Sequence, residues 1–253
     1  MTITLTDVLL LTLSAFGAGV MNAVAGGGTL LTFPALLSVV SPVVANATST
    51  VALVPGSAAS AWGYRNELRA CRRWLLLLLG PSLAGGALGA LLVTRLDERV
   101  FRAAVPWLIL VAAILFLVQP LVARAFPPAG DAPARAALVG IVVFQFFVAV
   151  YGGYFGAGIG ILMLASLGLM GVGDVHRMNA LKTVLAFCIN GISVVVFVLE
   201  GDVAWPYALL MVPAAILGGY AGARGALRLH PGLVRAVVAL IAFALAAHFF
   251  YNS

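Results

Sequence analysis

Charge is what this 253-residue sequence has least of. Charged residues make up 9% of it, against roughly 25% in soluble domains, and its single lysine is Lys182. All eight acidic residues lie in loops or at the ends of apolar runs. No carboxylate therefore stands where proton-driven carriers keep one, which argues against a cation as ligand. Cysteine is equally scarce. Cys71 sits in an arginine-rich loop and Cys188 inside an apolar run, settings too different for a disulfide or a metal framework, so both read as packing residues. No His/Cys/Asp/Glu group has ligand spacing, and no nucleophile has an evident base beside it. Neither a metal, a cofactor nor an enzyme is expected.

What the chain has instead is apolar length. Hydrophobic residues reach 63%, and runs near the roughly 20 residues needed to cross a bilayer follow one another almost from end to end. That composition describes an all-α polytopic membrane protein with the lipid bilayer as its solvent. The excess of cations, +6 in net charge, then reports orientation rather than nucleic-acid binding. Residues 1–7 lack the positively charged region of a signal peptide, so the first apolar run is expected to be retained.

Taken in order, an apolar run over 7–24 ends at Gly26-Gly27-Gly28, and a short run over about 30–40 is broken by Pro34 and closed by Ser41-Pro42. Both pieces read as short for a crossing. A third run, 46–62, opens on Asn46-Ala-Thr48-Ser49-Thr50 and ends in the cation-rich stretch Arg65–Arg73. Runs over 74–93 and 100–118 follow, separated by the mixed turn Arg95–Arg99. Residues 120–134 hold Pro120, Pro127, Pro128 and Pro133 and read as a linker.

The second half echoes the first. An offset of 133 places Asn179-Ala-Leu-Lys182-Thr183 on Asn46–Thr50, Gly218-Gly-Tyr-Ala-Gly222 on Gly85-Gly-Ala-Leu-Gly89, and Arg235 on Arg102. The glycine clusters Gly26-Gly27-Gly28 and Gly156-Ala-Gly158-Ile-Gly160 align at 130. One register across widely separated motifs indicates duplication. Residues 1–119 and 135–253 are thus two repeats, each a glycine-broken helix pair followed by three transmembrane helices. The cation-rich stretches at 65–73 and 224–235 mark the cytoplasm, whereas Glu200-Gly-Asp202 has no cation and falls outside. These stretches occupy non-equivalent points of the two halves, so the repeat is inverted, with a cytoplasmic 120–134 linker and both termini outside. The Arg95/Arg99/Arg102 turn also falls outside. The small-xxx-small pairs Gly85/Gly89 and Gly218/Gly222 suit internal packing or the seam of a homo-oligomer; their equivalence in the two halves favours packing.

At membrane depth an unwound backbone survives only inside protein or along a cavity, so the glycine clusters are the candidate site. Gly26, Gly27, Gly28 and Thr29, with Gly156, Gly158 and Gly160, let backbone amides approach a ligand; close helix packing is the alternative reading. Asn46, Thr48, Ser49 and Thr50, and Asn179, Lys182 and Thr183, offer hydroxyl and amide donors at what reads as a helix start, suited to an oxyanion. Lys182 lies inside an apolar run and is either an anion ligand or a lysine snorkelling to the interface. Asn22 and Asn190 are further polar candidates at membrane depth, equally suited to interhelical hydrogen bonds. An exported anion would need no proton relay, since an inside-negative potential favours its exit by about 2.3 kcal/mol per charge per 100 mV.

The motifs Ala25-Gly-Gly-Gly-Thr-Leu-Leu-Thr-Phe-Pro34, Asn46-Ala-Thr-Ser-Thr50, Gly156-Ala-Gly158-Ile-Gly160 and Asn179-Ala-Leu-Lys182 resemble those of the TauE/SafE family, also called the toluene-sulfonate uptake permeases, over nearly the whole chain. The resemblance implies an inner-membrane transporter of small sulfur-containing anions, with export of sulfite or an organosulfonate expected first. An uptake permease for an organosulfur compound or a carboxylate is the alternative, and a non-transport membrane subunit the rival from another class.

Overall fold

A computed structural model describes residues 4–24, 27–63, 65–125, 135–169 and 175–225, with positions 240, 243, 244, 247 and 251 beyond them. Every regular element among the described residues is helical: α1 (Leu5–Val24), α2 (Thr29–Leu37), α3 (Pro42–Gly63), α4 (Arg65–Ala70), α5 (Arg72–Arg95), α6 (Glu98–Ala125), α7 (Arg135–Tyr154), α8 (Ile159–Leu169), α9 (Val175–Glu200) and α10 (Trp205–Gly225). Three of these are long and apolar enough by composition to cross a membrane: Leu5–Asn22, Arg72–Arg95 and Arg177–Glu200. Leu9, Leu13, Leu76, Trp107, Phe147 and Leu209 are exposed, an apolar exterior that lipid solvates. The chain is a multi-pass membrane protein.

The glycine breaks divide their helices unequally. At 1.5 Å per residue, α1 and α7 with 20 residues each are about 30 Å long, whereas α2 with 9 and α8 with 11 are about 14 and 17 Å. The expectation of two short pieces is therefore corrected for the first pair, where α1 is long enough to cross and only α2 is too short. In the second pair the apolar part of α7, Leu138–Tyr154, is itself shorter than a crossing, and α8 is shorter still. Each pair folds back as a hairpin. Gly17 faces Leu31, Gly28 faces Ala18, and Gly152 faces Ile159. A second correction concerns α3, which starts at Pro42 rather than Asn46. Proline suits the first helical position because its missing N–H would have no partner there, and Ala45 N bonds to Ser41 O. Asn46, Thr48, Ser49 and Thr50 thus occupy the body of the helix. The stretch after α3, expected as a loop, contains the one-turn helix α4.

Helix α1 packs against α10 and α5 against α7; α3 packs on α10, α5 on α9, and α3 on α9. Exchanging α1 with α7, α2 with α8, α3 with α9 and α5 with α10 leaves these neighbours unchanged. The glycine pairs make the two largest seams possible. A Cβ on Gly89 would overlap Val150 O, one on Gly153 would overlap Gly86 O, and one on Gly218 would overlap Phe16 O. The small-residue motifs are used within the chain.

Arg95 donates from Nε (3.0 Å) and Nη2 (2.6 Å) to Glu200 Oε1, so α5 and α9 end on the same side of the molecule. Ala204 N donates to Thr48 Oγ1 at 3.0 Å, which brings the start of α3 to that side as well. Below it Phe33 meets Phe101 and Phe155 edge to face, with centroids 6.3 and 5.2 Å apart, and Phe101 meets Tyr154 at 5.4 Å. Helix α6 continues to Ala125; residues 126–134 of the expected linker, the stretch 226–239 with Arg235, and Gly26 lie outside the described residues.

Candidate functional site

Between the two broken pairs lies a cavity of about 60 Å³, where one water needs roughly 10–15 Å³. Asn22, Gly27 and Thr29 line it from the first break, Gly156, Ile159 and Gly160 from the second. Helix α3 contributes Thr50, Leu53, Ser57 and Ser60, and α9 contributes Lys182, Thr183, Ala186 and Asn190. The sequence offsets reappear in this lining. Thr50 and Thr183, Leu53 and Ala186, and Ser57 and Asn190 are pairs at 133, and Thr29 and Ile159 are a pair at 130. Both halves turn the same helix face toward one space. Ser60 and Lys182 line it without their counterparts Ser193 and Ser49.

The backbone at the breaks is held rather than loose. Gly27, Gly156 and Gly158 have φ of +93°, +81° and +78°, a left-handed conformation that side chains disfavour. Asn22 Oδ1 accepts from Gly28 N at 2.7 Å, which caps the start of α2 from the end of α1. Gly156 N bonds to Tyr151 O at 3.2 Å, and Tyr151 Oη donates to Ala157 O at 2.8 Å. The amides of Gly28 and Gly156 are therefore already used, and the expectation that each glycine offers a free N–H is narrowed accordingly.

Lys182 is 7% exposed. Its stem runs over Gly160, where an added Cβ would stand 3.2 Å from Lys182 Cδ, and its Nζ donates to Asn179 Oδ1 at 3.1 Å. Among the described residues no carboxylate forms an ion pair with it; the ion pairs there are Arg95–Glu200 and Arg102–Glu98. The ammonium thus faces a space lined by Thr29, Thr50, Thr183, Ser57 and Ser60 hydroxyls and the Asn22 and Asn190 amides. Thr50, Ser57 and Ser60 donate their hydroxyl hydrogens to Asn46 O, Leu53 O and Gly56 O. The donors left for an anion with several oxygens are therefore the ammonium, the Thr29 and Thr183 hydroxyls and the Asn22 and Asn190 amide groups.

Of the residues singled out in the sequence, Asn22, Gly27, Thr29, Thr50, Gly156, Gly160, Lys182, Thr183 and Asn190 meet at this cavity. Gly28, Gly158, Asn46, Thr48, Ser49 and Asn179 do not line it. Their polar groups hold helices together: Ser49 Oγ pairs with Thr32 Oγ1 at 2.5 Å, and Asn46 Nδ2 donates to Tyr154 O at 3.0 Å. Leu53, Ser57, Ser60, Ile159 and Ala186 were not expected. The helical spacing 50, 53, 57, 60 points to the α3 members of that set.

Comparison with known proteins bears on the whole chain. A profile described as sulfite exporter TauE/SafE matches residues 11–249. The chain belongs to the TauE/SafE family. Similar relatives of this TauE/SafE chain include a probable membrane transporter protein of Haemophilus influenzae, 30% identical over 243 residues, 94% of this chain and 92% of the relative. Two more are the probable membrane transporter protein ORF9 of a Sinorhizobium species, 29% identical over 92% of this chain and 88% of the relative, and YfcA of Escherichia coli K12, 27% identical over 93% and 87%. No solved structure matches significantly. This TauE/SafE member is a membrane transporter rather than an enzyme.

Proposed function

We propose that the protein exports a small sulfur-containing oxyanion, sulfite or a compact organosulfonate, across the bacterial inner membrane. The observation that carries this is Lys182, a buried ammonium facing a hydroxyl-lined cavity without a carboxylate partner. A buried charge whose partner is the neutral Asn179 amide is unfavourable, and an anion of matching size supplies the missing countercharge. The backbone breaks on both sides keep that space polar at membrane depth. The family's description as sulfite exporters supports the choice of sulfur anion.

The two halves form an inverted repeat in this reading, supported by the paired lining residues and by the exchangeable helix neighbours. The α4 side, with Arg65, Arg69, Arg72 and Arg73, faces the cytoplasm, and the Glu200 side faces out, as do both termini. The cavity reaches Ser60 on α3, within a turn of that helix's end at Gly63, but stops at Asn190 on α9, ten residues short of Glu200. It is thus offset toward the cytoplasm, where an exported anion enters.

Counterflow of radiolabelled sulfite into liposomes bearing the purified protein tests this. Saturable flux accelerated by a potential that draws anions outward, and lost in Lys182→Ala, is expected. Flux no greater than in empty liposomes excludes sulfite, and flux unchanged in Lys182→Ala removes the lysine from the site.

A further inference from the structure

One bond between the halves has no counterpart at the equivalent positions. Asn46 Nδ2 donates to Tyr154 O, the last carbonyl of α7, and so ties α3 to the broken helix of the opposite half. The offsets that relate the halves pair Asn46 with Asn179 and Tyr154 with Val24, the last residue of α1. Among the described residues Asn179 makes no such bond to Val24; its Oδ1 accepts from Lys182 Nζ, which fixes the orientation of the amide. Asn46 Oδ1, fully buried, has no partner, so the closed bond on that side leaves one acceptor unpaid by any donor. Access follows the same division. Ser60 and its counterpart Ser193 both donate to the carbonyl four residues back, but Ser60 lines the cavity while Ser193 is buried away from it.

We propose that Asn46 and Asn179 are alternating latches of the transport cycle rather than substrate ligands. In the structure the Asn46 latch is closed on Tyr154 O, sealing the Glu200 side beneath Phe33, Phe101 and Phe155. The Asn179 latch is open and occupied by Lys182. Lys182 Nζ keeps further N–H groups for an anion, and an anion that draws the ammonium into the cavity by these stronger charge-assisted bonds pulls it away from Asn179 Oδ1. Asn179 is then released to close on the carbonyl end of α1, and Asn46 to open. Substrate binding and gate movement are thereby joined through one lysine. This rests on the inverted-repeat reading above, but it concerns access, not which anion moves.

The test reads access directly. In a Cys71→Ser, Cys188→Ala background, Ser60→Cys and Ser193→Cys serve as reporters for the rate of reaction with a polar maleimide in nanodiscs. Ser60→Cys is expected to react quickly and Ser193→Cys slowly. Asn46→Ala should raise the Ser193→Cys rate about fivefold, the weight of one ordinary hydrogen bond in a two-state equilibrium, and lower that of Ser60→Cys. Lys182→Met, which frees Asn179, should shift both reporters the same way, and adding Asn179→Ala should cancel that shift. Unchanged rates in Asn46→Ala and Lys182→Met, or a Lys182→Met shift that persists without Asn179, overturn the latch. Should Asn46→Ala not fold, the Lys182/Asn179 cycle decides alone. Absent sulfite flux with the expected labelling overturns the substrate and leaves the latch standing; intact flux with flat labelling does the reverse.

Discussion

Lys182 concentrates most of the site's chemistry in one side chain, and its surroundings make its contribution separable. Gly160 provides the slot for the lysine stem. Gly160→Ala would press on Lys182 Cδ from 3.2 Å, tight enough to displace a flexible chain without unfolding its helix. The half-saturating anion concentration should rise about tenfold, as for loss of one charge-assisted hydrogen bond, with the melting temperature nearly unchanged. Flux against sulfite concentration checks this. Asn22 acts differently, since its Oδ1 caps Gly28 N; Asn22→Ala should cost about 1 kcal/mol of stability, seen as a lower melting temperature in detergent. Lys182 was legible in the sequence because no other lysine exists and its neighbours are apolar. Ser57 and Ser60 were not, because a serine in an apolar helix can satisfy itself by bonding the carbonyl four residues back, as both do.

Among elements, the glycine seams between α1 and α10 and between α5 and α7 hold the two halves together. Gly218→Val would drive a side chain into the α1 backbone at Phe16, and the expected loss is about 3 kcal/mol, the upper end of what overpacking costs. Size-exclusion profiles and thermal melts should show it. The Arg95–Glu200 pair is different, because Arg95 is 69% exposed. Arg95→Ala should change stability by less than about 1 kcal/mol. The breaks at Gly26–Gly28 and Gly156–Gly160 were readable, since clustered glycine in an apolar run has few other uses. The start of α3 was misread by one turn. The polar cluster at Asn46 looks like a cap, yet Pro42 is the residue whose geometry starts the helix. Helix α4 was hidden by its arginines, which read equally well as loop.

At the scale of the whole molecule, two halves present equivalent faces, 50/53/57 and 183/186/190, to one cavity, and on those two helices they differ in Ser60 and Lys182. The offsets of 133 and 130 made this correspondence legible in the sequence, since helices that share a packing scheme keep a common register. That these faces converge on a single space was not visible, because a repeat fixes correspondence and not distance. The central claim is that this space holds an anion against Lys182, and a ligand that binds only the folded state stabilises it by about 2.7 kcal/mol at one hundred times its dissociation constant. The most direct measurement is therefore the melting temperature of the purified protein with and without saturating sulfite, beside Lys182→Ala. Sulfite should raise the melting temperature of the native protein and leave that of Lys182→Ala unmoved; equal stabilisation of both, or of neither, would contradict a sulfite site at Lys182.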